Sequence, residues 1–480
     1  MGLQLLVDFG STFTKAVAVD LERELIVGCA QAPTTIEDDI TIGLDNALAA
    51  LCEKTGIDLN AVERKFACSS AAGGLKIAAV GLVPALTLEA ARRAALGAGA
   101  KVVSSYGYEI DEGIVREIEA LACDIVMLCG GFDGGNKNVI LHNAGQLARS
   151  SISSPILVAG NRVVTAEVKR LLESGGKKVY TAENVLPETN VLNPTSAQNL
   201  IREIFIAHIV KAKNLDKAQL FFDRDIIPTP KASLLAASLL EGGENDGLGS
   251  AMVVEIGGAT INIHSVAEVT PATHQTIIRG LPETRVKRTV EGDLGIRWNS
   301  PTIFELVGQE TLMNALREAY PAAREERDFK RYTDFLYENV NHVPRDESEY
   351  NMDIALAKCA AKIAVERHCG ELTKELTMNG EVSIQHGKNL LEVQNIVGTG
   401  GIFRYGLMPE RILPAAVYDE RTPWSLKPKS PKLFIDRDYI LFGVGLLAQE
   451  YPEAALRIAK KYLASASLPK NGFFDNGISR

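Results

Sequence analysis

The chain has 480 residues, and nearly half of them are apolar, enough for about three domains at ~150 residues each and for a sizeable core. Its net charge of −9 opposes non-specific binding to nucleic acid, which needs clustered Lys and Arg. No uninterrupted apolar run approaches the ~20 residues of a membrane helix, and Met1-Gly2-Leu3-Gln4 lacks the basic and apolar regions of a signal peptide, so a cytoplasmic protein with neither nucleic acid nor membrane as partner is expected.

Leu3 to Phe9, Lys15 to Asp20 and Leu25 to Ala30 read as three consecutive strands. A helical pattern follows at Leu44 to Glu53, then a strand at Lys65 to Ser69. Three antiparallel strands followed by helices and further strands is the order of a ribonuclease-H-like half. Residues 75–182 read differently: strands at Lys76, Lys101, Asp124, Pro155 and Lys178 alternate with helices at Thr87 to Leu96, Glu112 to Leu121, Asn138 to Ala148 and Val163 to Ser174. Such alternation predicts a small doubly wound parallel sheet. A helix at Ser196 to Ala212 returns the chain to the first lobe. The Gly-rich break from Glu241 to Gly249 marks the lobe boundary.

A new strand–turn–strand starts at Ala251, and residues 301–375 read as helical and heavily charged, with Arg324 to Arg331 a solvated helix face. Strand signals return at Asn395 and Lys432, a helix follows at Tyr439 to Gln449, and the tail from Ser465 is expected to fray. The expected class is therefore α/β. It has one ribonuclease-H-like lobe over 1–74 and 183–248, with a doubly wound insertion at 75–182. The second lobe spans 249–300 and 376–480, with a helical insertion at 301–375. The seven cysteines show no C-x-x-C pair and the seven histidines are scattered, so reduced thiols and no structural metal site are expected.

Four segments carry chemistry. In Asp8-Phe-Gly10-Ser11-Thr12-Phe-Thr-Lys15, an acid at a strand end precedes a glycine and hydroxyl residues. Backbone amides and hydroxyls there can approach a phosphate, the carboxylate can hold hydrated magnesium, and Lys15 adds positive charge. Glu255-Ile-Gly257-Gly258-Ala-Thr260 repeats the device at the start of the second lobe. Either hairpin alone reads as an ordinary turn; the pair would clamp a triphosphate and its metal. In Asn395-Ile-Val-Gly398-Thr-Gly400-Gly401, a strand runs into glycines that suit a backbone passing close to adenosine. Finally, Ala232 and Ala236, and Gly443, Gly445 and Ala448, place small residues where two helices would cross closely at a hinge.

In this order the motifs resemble the superfamily of actin, sugar kinases and the seventy-kilodalton heat-shock chaperones, which implies an actin-like ATPase fold. Phe132-Asp133-Gly134-Gly135-Asn136, the Glu255 hairpin with His264-Ser265, and Thr289 to Gly295 further resemble the MutL-type accessory protein of glutamate (methylaspartate) mutase. That resemblance implies an ATPase-like partner, reactivating or chaperone-like, for an adenosylcobalamin-dependent mutase, with a homo-oligomer open as well. Asp8 and Glu255 would organise magnesium and water, the hydroxyl and glycine residues of both hairpins would hold phosphates, and Gly398, Gly400 and Gly401 would line adenosine. An Asp is expected where Glu255 stands, and an acid near Asn262; the longer arm of Glu255 is expected to slow hydrolysis. Two rivals stay open: a small-molecule kinase, with Asp133 or Asp293 as base, and a filament-forming structural relative. The 75–182 segment also resembles a cobalamin-binding domain but lacks Asp-x-His-x-x-Gly, and its only histidine is His142. It reads either as a mimic of the cobalamin-binding subunit or as an insertion that only adds core.

Overall fold

The first strand, β1 (Leu3–Phe9), is apolar on both faces and buried on both: Leu5 and Val7 join one core while Leu6 joins another, as the two-residue period of a strand requires. β2 (Phe13–Asp20) and β3 (Leu25–Pro33) continue the antiparallel meander. Then come α1 (Ile40–Thr55), capped by Asp39, which accepts the Thr41 amide, and β4 (Val62–Ser69), parallel to β1. The structure is a computed structural model and describes residues 2–10, 12–35, 39–70, 75–98, 100–204, 215–242, 246–273, 276–321, 326–377 and 380–466. Ser11, residues 205–212 of the expected return helix, Arg324 and Glu325, and the tail from 467 lie outside the described residues.

The insertion follows as β5 (Lys76–Val80), α2 (Glu89–Gly97), β6 (Lys101–Tyr106), α3 (Glu112–Ala120), β7 (Ile125–Leu128), α4 (Asn138–Arg149), β8 (Ile156–Val158), α5 (Thr165–Ser174) and β9 (Val179–Thr181). Its strands are all parallel in the order β6-β5-β7-β8-β9, a doubly wound sheet. After α6 (Thr195–Ile204) and α7 (Leu215–Gln219), β10 (Ile227–Pro228) closes the first sheet as β3-β2-β1-β4-β10 and leads directly into α8 (Thr229–Gly242).

The second lobe repeats this plan. β11 (Ala251–Ile256) and β12 (Ile261–Val266) form the hairpin, followed by β13 (Thr276–Arg279), β14 (Val286–Glu291), α9 (Ser300–Ala319), α10 (Phe329–Glu338), α11 (Glu347–His368), β15 (Glu371–Thr377), β16 (Gly380–His386), β17 (Asn395–Thr399), α12 (Gly401–Tyr405), β18 (Lys432–Asp436), α13 (Leu441–Leu447), α14 (Pro452–Tyr462) and β19 (Leu463–Ala466). The main sheet runs β14-β12-β11-β17-β18-β19, the order of the first sheet with one strand added. One difference from the sequence reading is a small sheet, β13-β16-β15, whose strand β15 begins inside the segment expected to be helical. Glu371-Leu-Thr-Lys-Glu-Leu-Thr places its leucines among charged residues; β16 holds it in antiparallel register while Leu376 stays exposed.

The lobes meet on a shared core in which Leu6 and Val17 of the first sheet, Val253 and Val397 of the second, and Ala232 and Ala236 of α8 pack together. α8 and α13 cross so closely that a methyl group on Gly445 would overlap the Ala232 carbonyl, and one on Gly443 would press on Leu6. The small residues of both helices thus serve the interlobe crossing. No helix among the described residues is long and apolar enough to cross a membrane.

Candidate nucleotide cleft

Each hairpin turns tightly after its acid. Gly10 donates its amide to the Phe13 carbonyl at 3.1 Å, and Gly257 donates to the Thr260 carbonyl at 2.9 Å. The strand register places Lys15 opposite Asp8, and Asn262 opposite Glu255. The two turns border one cavity of about 460 Å³ between the lobes, within the usual range for small-molecule sites. Asp8, Gly10, Thr12, Lys15, Glu255, Gly257, Gly258, Thr260, Gly400 and Gly401 all line it.

Asp8 is buried. Its Oδ1 accepts the Thr229 hydroxyl at 2.7 Å and the Cys68 thiol at 3.5 Å, and its Oδ2 faces Lys15 Nζ at 3.5 Å. The Lys15 ammonium also lies 3.6 Å from the centre of the Tyr439 ring, a cation–π contact that keeps it in the cleft. Burial, reinforced by the Asp8 charge, pushes the Cys68 thiol well above its usual range, so Cys68 is an inert neighbour.

Glu255 is held differently. Its Oε2 accepts from Asn262 Nδ2 and faces His264 Nε2, both at 3.3 Å. Burial alone would raise its carboxyl, but the hydrogen bond from His264, with Arg288 and Ser233, brings it below the ordinary carboxylate range. Burial lowers His264 despite the opposing Glu255, so we assign the neutral imidazole with Nε2–H donating to the carboxylate. Its Nδ1 then has no partner among the described residues. Arg288 Nη2 completes the group by donating to Asn262 Oδ1 at 3.0 Å.

The second hairpin is braced from outside. Arg297 donates its amide to the Gly258 carbonyl at 2.9 Å, and its guanidinium grips Asp353 with contacts of 2.6 and 3.3 Å. Tyr332 donates to the same carboxylate at 2.9 Å. Across the rim, Tyr405 donates to Gln31 at 2.9 Å, linking the lobes.

The third motif needs correction. Gly398 does not line the cavity; the Phe403 ring fills the space its side chain would take, so that glycine serves packing beneath β17. Gly400, at φ 110°, approaches the Ile256 carbonyl where two strand ends meet, and only Gly401 has open space above it. The sequence reading also missed Thr229, Arg288, Arg297, Asp353 and Tyr439. Thr229 stood inside a segment read only for helix packing. Arg288 and Asp353 belong to other elements and join the site by folding alone. The rival kinase bases sit elsewhere: Asp133 accepts from Asn184 and Arg162 in the insertion, Asp293 pairs with Arg367, and neither lines the cavity.

Two lobes with the same strand order, each opening on an acid–glycine hairpin that faces one cleft, define a protein of the actin-like ATPase fold. Residues 4–463 match the MutL protein family, and the chain belongs to it. It is 44% identical over 466 residues to Protein MutL of Clostridium tetanomorphum, covering 96% of this chain and 99% of that one. Among solved structures, nucleotide-free acetone carboxylase overlaps 93% of this chain and 70% of its own at 12% identity and a TM-score of 0.38. The activator of 2-hydroxyisocaproyl-CoA dehydratase from Clostridium difficile, with bound ADPNP, overlaps 97% and 100% at 10% identity and a TM-score of 0.33. The strand order of the two sheets, and not these overlaps, defines the fold.

Proposed function

We infer that this chain binds ATP with magnesium in its cleft, hydrolyses it slowly, and serves as the accessory, reactivating or chaperone-like protein of an adenosylcobalamin-dependent glutamate (methylaspartate) mutase. The observation that carries the nucleotide reading is the pair of register-equivalent acids, Asp8 and Glu255, on opposite walls of one cavity. Among the described residues no cluster of three ligating side chains could hold a metal alone. Magnesium is commonly bound by one or two carboxylates together with phosphates and water, and Asp8 and Glu255 would supply those carboxylates. Bound there, the ion would neutralise charge on the phosphates.

The chain's own groups do the rest. Gly10, Thr12, Gly257, Gly258 and Thr260 present turn amides and hydroxyls to phosphates, with Ser11 assigned the same role from its place in the motif. Lys15, held between Asp8 and Tyr439, supplies a fixed positive charge. Gly401 leaves room for the nucleoside. Glu255, turned toward Asn262 and His264, is poorly free to orient water, which supports slow turnover. The shared core and the α8–α13 crossing allow the lobes to open and close, so that ATP state shifts the population able to hold a partner. The mutase role rests on family membership and on the motifs that resemble the mutase accessory proteins.

Calorimetry with ATP, with and without magnesium, tests the first part; absence of magnesium-dependent binding overturns it. Co-purification with mutase subunits, and recovery of inactivated mutase on addition of the chain and ATP, test the second. ATP consumption stimulated by a sugar or polyol, or polymers that sediment with ATP, would favour the kinase or the filament instead.

A further inference from the structure

The doubly wound insertion leaves the chain in the first lobe but rests on the second. Arg93 of α2 donates to the Pro282 carbonyl at 2.7 Å and pairs with Glu283 at 2.9 Å. Lys101, at the start of β6, reaches the Gly292 carbonyl at 3.4 Å. Between these contacts lies Arg288 of β14, which is buried. Its Nη1 donates to the Leu96 carbonyl at 2.7 Å, in the last turn of α2, and to the Ala100 carbonyl at 3.4 Å, just before β6. The last carbonyls of a helix lack intrahelical donors and carry partial negative charge, so a guanidinium there is well placed.

The same guanidinium donates through Nη2 to Asn262 Oδ1 at 3.0 Å, and Asn262 donates through Nδ2 to Glu255 Oε2 at 3.3 Å. One line of hydrogen bonds therefore runs from the insertion's backbone to a carboxylate in the cleft. Burial lowers the Arg288 guanidinium and the Glu255 charge opposes this; an arginine stays charged even so. With its Nε unpartnered among the described residues, Arg288 depends on the few acceptors it has. A small shift of the insertion against the second lobe would loosen both of its carbonyl acceptors and free the guanidinium to move against Asn262.

We propose that Arg288 is a positioning residue that couples docking of the insertion on the second lobe to nucleotide binding in the cleft, through Asn262 and Glu255. The proposal rests on the nucleotide reading of the cleft. Coupling of this kind is reciprocal: nucleotide tightens docking as much as docking tightens nucleotide. It gives the insertion a physical route to the cleft.

A double-mutant cycle on the full chain tests it, with methylanthraniloyl-ATP and magnesium as the fluorescent probe. Arg93 lies outside the cleft lining, so Arg93→Ala removes docking contacts, together with its pair to Glu89 on its own helix, without touching the cleft. In the wild-type background it should weaken probe binding about 5-fold, the lower end of typical coupling. In an Arg288→Lys background the same substitution should have no further effect, because lysine cannot fork between the insertion's carbonyls and Asn262. An equal loss in both backgrounds, or none in the wild type, overturns the proposal. Asn262→Leu cuts the line between Arg288 and Glu255 and must give the same non-additivity, which keeps the test decisive if Arg288→Lys fails to fold. A wild-type chain that does not bind the probe at all overturns the nucleotide reading, and the proposal with it, before any variant is compared.

Discussion

The two hairpins at the cleft share a backbone and differ in how they hold their acid. In both, a glycine two residues past the acid donates its amide across the turn, and the residue seven positions on stands opposite the acid. In the first lobe that residue is Lys15, which meets Asp8 directly at 3.5 Å. In the second it is Asn262, and the positive charge is displaced to Arg288 on the next strand, opposite His264. The first hairpin thus carries its own counter-charge within a few residues of chain, with Thr229 and Cys68 as the distant donors to its acid among the described residues. The second depends on β14, on His264 and on the insertion. A duplicated scaffold can keep its phosphate-facing turn while one copy becomes a fixed electrostatic site and the other a site whose acid answers to its neighbours.

If that contrast is right, Asp8→Ala has the largest effect. Removing one member of a buried ion pair costs about 3–5 kcal/mol, and magnesium-dependent ATP binding should fall roughly 100-fold or more by calorimetry. Unchanged binding would take Asp8 out of the site. Glu255 should respond in the opposite sense to shortening. Glu255→Asp withdraws the carboxylate from Asn262 and His264, so single-turnover hydrolysis should rise about 10-fold, while Glu255→Ala should lower it. Equal rates in all three chains would mean that Glu255 takes no part in the reaction.

Acid lability should also belong to the second lobe. Burial lowers both His264 and His368, the latter with help from Lys287 and Lys388. Below pH 6.5 the unfolded chain takes up protons that the folded chain excludes, so stability falls as pH falls, by about 1.4 kcal/mol per pH unit for each excluded proton. Urea unfolding between pH 7.5 and 5.5 should show this slope, and His264→Leu should remove about one proton's share; an unaltered slope would place the titration elsewhere. The smallest effect expected is that of Tyr405→Phe. It deletes one exposed hydrogen bond between the lobes, worth about 0.5–1.5 kcal/mol at most. Nucleotide release, followed by stopped-flow fluorescence, should quicken about 2-fold; no change would show that the rim contact does not hold the cleft shut.

The lobed plan was legible because its signals are local. A strand, an acid, glycines and a returning strand lie within about ten residues, and finding the device twice in one chain fixes two lobes and their shared cleft. The alternation of the insertion was legible for the same reason, since each strand and helix carries its own period. Small residues on α8 and α13 announced a close crossing, and the overlap that any methyl at Gly445 would create bears it out. The β15–β16 hairpin escaped notice because its charges resemble those of the helices before it, and pairing, not composition, makes it a sheet. Gly398 misled because a glycine records that space is needed without recording for whom; only packing assigned that space to Phe403.

What the linear pattern determined by itself was which residue types stand at each turn, because hairpin geometry ties acid, glycine and the facing residue together over a few positions. What only the tertiary structure decided was which distant groups complete each acid. Thr229 reaches Asp8, and Arg288 reaches Asn262 while resting on the end of a helix from the insertion. A buried arginine on a strand is written no differently from an exposed one. Its partners are chosen when sheets and helices pack, where an unsatisfied charge would be too costly to leave.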